Sequence, residues 1–175
     1  MLGEKGLIQL YTGNGKGKTT AALGLALRAA GHGARVVIIQ FMKSWNGYGE
    51  LKALRQFKNI TLVHTGRPKC VAFGAETEWD KSEVMQAFRL AQKYAAPQMC
   101  DLLILDEVTW AVAHGLLLQD ELIKLLDNKP KSLEIVLTGR NAQPELIQKA
   151  DLVSDVQEIK HPLSQGVKAR IGVEY

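Results

Sequence analysis

The sequence predicts an α/β fold, a three-layer domain with a mostly parallel central sheet, helices on both faces, and a C-terminal hairpin or edge strands. Two observations on the 175-residue chain point there. Apolar runs of strand length alternate with segments of helical period, and most runs close on small or polar residues, as buried parallel strands do. The first run also leads straight into a stretch rich in glycine and lysine, TGNGKGKTT at 12–20, which opens a helix.

Five runs read as strands: LIQLY at 7–11, VVIIQF at 36–41, ITLVH at 60–64, LLILDE at 102–107 and EIVLTG at 134–139. Helical periods lie between most of them, at 18–31, 81–96 and 119–127. Strand and helix in alternation imply right-handed crossovers, and therefore a sheet covered on both faces. The segment 65–80 (TGRPKCVAFGAETEWD) has no clear period, and a long irregular loop inside a compact domain is often functional. From Asp155 to Tyr175 two alternating stretches flank a turn containing Pro and Gly, the pattern of a hairpin or of two further edge strands.

Length and composition suit one domain over 1–175, with 46% apolar and 23% charged residues and neither linker nor repeat. No secretory leader and no apolar stretch of membrane-spanning length is visible. Two cysteines without CxxC spacing suit a reducing compartment. A cytoplasmic protein is expected. The net charge of +4 comes from basic residues interleaved with acids, which argues against a nucleic-acid stripe and for a smaller anion.

The 12–20 stretch sits where a phosphate-binding loop belongs, between a strand and a helix N-terminus, so the predicted domain is P-loop NTPase-like. Glycines allow the backbone N–H groups to turn inward, and the helix end adds partial positive charge. Lys18 would reach the terminal phosphates, with the Thr19 hydroxyl on a bridging Mg²⁺. The spacing departs from G-x-x-x-x-G-K-[ST] at its first glycine: Thr12 fills that place and Gly13 follows it. Asp106 and Glu107, closing the fourth strand, are candidate carboxylates for the metal. Arg140 falls past the fifth strand, at the sheet edge where ligands bind. His32, His64, His114 and His161 have no metal-ligand spacing, and no serine or cysteine sits in a nucleophile motif. NKPK at 128–131 has Lys131 where a guanine reader needs aspartate, which argues against GTP.

Over nearly its whole length the chain resembles the ATP:corrinoid adenosyltransferases of the CobA/BtuR type. The likeness is carried by TGNGKGKTTAALGLALRAAGHG at 12–33, VVIIQFMK at 36–43, LLILDEVTWAV at 102–112, LTGR at 137–140, ADLVSDVQEIKHP at 150–162 and GVKARIGVEY at 166–175. It implies transfer of the 5′-deoxyadenosyl group of ATP to the Co(I) of a reduced corrinoid, with release of triphosphate. It also implies that ATP lies along the loop in the sense opposite to most phosphate-loop proteins.

Co(I) is itself a strong nucleophile, which agrees with the missing nucleophile motif. By the same resemblance Gly13, Asn14, Gly15, Lys16, Gly17, Lys18, Thr19 and Thr20 would grip the triphosphate, and Thr19 and Glu107 would hold Mg²⁺ or Mn²⁺. Lys18 and Glu107 would be the catalytic pair. Arg28 would approach the nucleoside. Phe73 and Trp79, in the irregular loop, would displace the lower axial ligand of the corrinoid, and Trp45 and Trp110 are further candidates for that cavity. A flavoprotein reductant and a homodimer are expected on the same ground. A small-molecule kinase or ATPase on the same loop, or a non-catalytic binding module, are the alternatives.

Overall fold

The computed structural model describes residues 5–67 and 74–175. In chain order the elements are β1 (Ile8–Thr12), α1 (Lys18–Gly31), β2 (Val36–Gln40), α2 (Gly49–Leu54), β3 (Ile60–His64), α3 (Glu78–Tyr94), β4 (Leu102–Asp106), α4 (Val108–Ala113), α5 (Gln119–Asp127), β5 (Glu134–Thr138), α6 (Pro144–Lys149) and β6 (Leu152–Asp155). The strands form one sheet in the order β3-β2-β4-β5-β1-β6, and every neighbouring pair is parallel. All strands therefore end on the same edge.

Alternation along β2, β4 and β5 builds two cores. Val37, Ile39, Leu103, Leu105, Ile135 and Leu137 face the layer that contains Val84, Phe88, Leu122 and Leu146 of α3, α5 and α6. Val36, Ile38, Leu102, Ile104 and Val136 face α1, which offers Ala22, Ala26, Ala29 and Ala30. Alanines at these positions let the helix axis lie close to the sheet. The expected three layers are present.

Two of the expected elements differ by more than a two-residue shift of their ends. Helix α3 begins at Glu78, before 81, because the Thr77 backbone N–H and hydroxyl both donate to Asp80 at 2.8 Å and close the first turn. At the C-terminus there is one edge strand, β6, and no hairpin: after Asp155 the chain runs through turns and a short 3₁₀ helix at Pro162–Gln165. Its alternation of apolar residues does not mark a sheet face, since Ile159, Leu163 and Ile171 are all exposed.

Candidate functional site

The loop between β1 and α1 is shaped by three glycines in two ways. Gly13 and Gly17 have φ of 97° and 121°, conformations that side chains disfavour. Gly15 is needed for close approach instead: a Cβ there would lie 2.6 Å from the carbonyl oxygen of Gln157, and its N–H donates to the carbonyl of Val156 at 2.7 Å. Helix α1 has no side-chain cap, which leaves its first N–H groups directed at the loop, an arrangement that suits an anion. The Lys18 ammonium donates to the carbonyls of Gly13 and Gly15, each at 2.7 Å, and is almost fully buried.

Beside the loop a polar row crosses the sheet. Gln40, Asp106 and Thr138 end β2, β4 and β5 on the face that packs α1, in phase with Ile38, Ile104 and Val136. Asp106 is fully buried and accepts from four donors: the Thr19 hydroxyl at 2.8 Å, the Thr138 hydroxyl at 2.7 Å, the Gln40 amide at 3.2 Å and the Lys43 ammonium at 3.3 Å. Lys43 also lies 3.3 Å from the Thr19 hydroxyl. Buried charge is tolerated when paired and hydrogen-bonded in this way.

Glu107 follows in the left-handed conformation, φ 64°, with its N–H on the Thr138 hydroxyl at 2.9 Å. The Thr19 hydroxyl donates to Asp106, and Glu107 lines the same cavity as Thr19. The Thr19 hydroxyl and Asp106 carboxylate are hard oxygen donors, and the pair fits Mg²⁺ or Mn²⁺.

Two cavities meet over this row. The larger, of about 730 Å³, is lined by residues 14–20, by Leu23, Gly24 and Leu27 of α1, and by Gly172, Val173, Glu174 and Tyr175. The smaller, of about 360 Å³, is lined by Phe41, Met42 and Trp110. Lys43, Tyr48, Glu107 and Arg140 line both. Lys18, Lys43 and Arg140 gather close to the Glu107 carboxylate. Burial lowers the pKa of Lys18, assisted by the like charge of Arg140 and opposed by Glu107. At Lys43 burial pulls the same way, but Asp106 and Glu107 outweigh it and the pKa is raised. Burial raises that of Glu107, and the neighbouring Asp106 adds to the effect.

Of the expected site residues, Asn14 to Thr20, Glu107 and Arg140 come together here, and Gly13 shapes the loop from behind. Arg28 does not line either cavity and lies close enough to influence the Tyr11 hydroxyl. Trp79 is half-exposed at the start of α3, with the Arg67 guanidinium 5.4 Å from its ring centre, and lines neither cavity. Phe73 lies outside the described residues. Of the three tryptophans, Trp110 is the one that lines the second cavity, beside Phe41 and Tyr48; its ring stacks on His114 at 3.6 Å, and His114 pairs with Glu76.

Lys43, Tyr48, Thr138 and Glu174 had no assigned role in the sequence. For Thr138, strand phase was a usable signal, because it alternates with Val136 as Asp106 does with Ile104.

The ATP:corrinoid adenosyltransferase BtuR/CobO/CobP family model matches residues 4–175. The corrinoid adenosyltransferase of Escherichia coli strain K12 is 35% identical over 98% of this chain and 87% of its own length. Corrinoid adenosyltransferase CobA of Salmonella typhimurium gives the same figures, and the enzyme of Pseudomonas aeruginosa is 33% identical over 98% of this chain and 85% of its own. Among solved structures, a KaiC-like protein from Pyrococcus horikoshii superposes with a TM-score of 0.55 at 16% identity, over 89% of this chain and 74% of that one, a likeness of fold alone. With the phosphate loop, the buried aspartate on Thr19 and a match from residue 4 to the last, the chain belongs to the ATP:corrinoid adenosyltransferase family.

Proposed function

We propose that this chain transfers the 5′-deoxyadenosyl group of ATP to the Co(I) of a reduced corrinoid and releases triphosphate. The observation that carries the reading is the pair of adjoining cavities: one holds the phosphate loop, the other an aromatic wall, and Lys43, Tyr48, Glu107 and Arg140 are common to both. A nucleotide whose phosphates lie on the loop and whose 5′ carbon points into the second cavity would meet a corrinoid there.

In the transfer, an electron pair of Co(I) forms the cobalt–carbon bond as the bond from C5′ to the α-phosphate oxygen breaks. The cobalt of the substrate is formally oxidised to Co(III), and triphosphate carries away the bonding electrons. No protein nucleophile or base is required. In keeping with this, the hydroxyls of Thr19, Thr138 and Thr109 are committed to Asp106 and to the Arg140 carbonyl.

The protein's tasks are to hold the reactants in line and to stabilise charge gathering on the leaving group. Lys18 would exchange the Gly13 and Gly15 carbonyls for phosphate oxygens, while Asn14, Lys16 and Thr20 and the first N–H groups of α1 complete the grip. Arg140 and Lys43 would neutralise the charge nearest the breaking bond. Mg²⁺ or Mn²⁺, held by Thr19 and Asp106 with Glu107 beside them, would neutralise further phosphate charge. Of the expected corrinoid aromatics, Trp110 is the one whose position favours contact. A flavoprotein reductant, a homodimer and a cytoplasmic setting belong to the same reading and rest on the likeness to the family and on the sequence; among the described residues no helix is long and apolar enough to cross a membrane.

The test is an anaerobic assay with chemically reduced cobalamin, ATP and Mg²⁺. It should give a light-sensitive alkylcobalamin spectrum with equimolar triphosphate, and Lys18→Ala should lower the rate about 100-fold or more. Release of ADP and phosphate without that product would replace the reading with a kinase or ATPase.

A further inference from the structure

The last residues of the chain enter the cavity that holds the phosphate loop. Lys16 Nζ donates to Glu174 Oε1 at 2.9 Å and to the carbonyl of Val173 at 3.2 Å. Arg170 holds the same carboxylate from the other side: its backbone N–H reaches Oε2 at 2.8 Å, its Nε reaches Oε2 at 3.2 Å, and its Nη2 reaches Oε1 at 3.1 Å. The tail turns back on itself through the Gly172 N–H and the Tyr175 carbonyl at 2.7 Å, and the Tyr175 ring meets Trp45 edge-on at 5.0 Å.

We propose that Glu174 is an internal competitor for the polyphosphate: its carboxylate occupies the ammonium of Lys16 and must give it up when a triphosphate enters the loop. The proposal rests on the reading that this loop takes the triphosphate of ATP.

The two loop lysines are held in different ways. Lys18 is buried and bonded to neutral carbonyls of its own loop, which impose no charge to displace. Lys16 is bonded to an anion that belongs to the tail. Hydrogen bonds from Arg170 and then from Lys16 hold the Glu174 carboxyl down to about 2, so it is ionised at any physiological pH.

A carboxylate and a phosphate oxygen accept from an ammonium with similar geometry, and the repulsion between the two anions sets one against the other at Lys16. The phosphate chain brings more charge and displaces the carboxylate. The barrier is low, because 47% of the Lys16 side chain is exposed and ion pairs open to water are weak. Arg170 keeps the carboxylate positioned to return. Glu174 thereby weakens binding of ATP and of released triphosphate alike and favours departure of the product.

The experiment is calorimetric titration of the full chain with inorganic tripolyphosphate and, separately, with ATP, at fixed ionic strength. Glu174→Gln keeps the shape of the side chain and removes its charge; it should tighten tripolyphosphate binding about two- to fivefold, the scale of an exposed ion pair. Glu174→Ala should do the same. The gain should vanish on a Lys16→Ala background, since the competition needs both partners. Unchanged or weaker binding in both Glu174 variants, or a gain that persists without Lys16, would overturn the proposal and make the tail a plain wall of the cavity. A wild-type chain that binds neither tripolyphosphate nor ATP would instead overturn the phosphate-loop reading, and the proposal with it.

Discussion

Glu107 holds a backbone conformation, φ 64°, that costs a residue with a side chain about 1–2 kcal/mol. What holds it there is the site itself: its N–H bonds to the Thr138 hydroxyl, which donates to Asp106, which accepts from Thr19. Strain at such a position persists only when the surroundings over-determine it. Glu107→Gly should relieve the left-handed turn while adding freedom to the unfolded chain, so chemical denaturation should show stability changed by no more than about 1 kcal/mol. The adenosyl-transfer rate should fall about tenfold or more, because a carboxylate common to both cavities is gone. A variant that is as active as the wild type would remove Glu107 from the site. The same neighbourhood shows what could be read from the sequence. The pair Asp106-Glu107 was visible as a carboxylate source at a strand end. Which of the two meets Thr19 depends on strand phase and on Thr138, 32 residues away, and only the folded sheet brings these together.

At the scale of elements, strands β1 to β5 and the helices at 18–31 and 119–127 are legible because each is long or apolar enough to display a period. Helices α2, α4 and α6 each have six residues, too few to repeat a 3.6-residue pattern, and are stabilised by packing rather than by their own sequence. The tail misled for the opposite reason: alternation is present, but no strand partner is. Helix α1 offers a direct test of which glycines serve the site. A Cβ on Gly24 would meet nothing within 4 Å, and the residue is mid-helix, so Gly24→Ala should stabilise the fold by about 0.5–1 kcal/mol. On Gly15 the added carbon would press on the carbonyls of Gln157 and Val156, at 2.6 and 2.8 Å, and push the segment after β6 off the loop. Gly15→Ala should therefore cost about 1–3 kcal/mol and weaken tripolyphosphate binding, as denaturation and calorimetry would show. A destabilising Gly24→Ala, or a neutral Gly15→Ala, would contradict this packing.

On the scale of the whole molecule, the parallel sheet places the loops after β1, β2, β4 and β5 on one edge, where open sheets of this kind take their ligands. Residues far apart in sequence, Lys18, Lys43, Glu107, Arg140 and Glu174, consequently line one cavity. A ligand that touches all of them ties the two cores on either face of the sheet into one cooperative unit. Two results should follow if residues 1–175 form a single domain. Thermal unfolding should give the same midpoint by far-UV circular dichroism and by the emission of the three tryptophans, of which Trp45, Trp79 and Trp110 lie in separate regions of the fold. ATP at 100 times its dissociation constant should add about 2.7 kcal/mol, which for a chain of this size raises the midpoint by about 5–10 °C in both signals together. Lys18→Ala should abolish the shift while leaving a single transition, because its loss removes the anchor of the phosphates and not the core. Separate midpoints for the two signals, or a ligand shift confined to one of them, would mean that the faces of the sheet melt independently and that the site does not couple them.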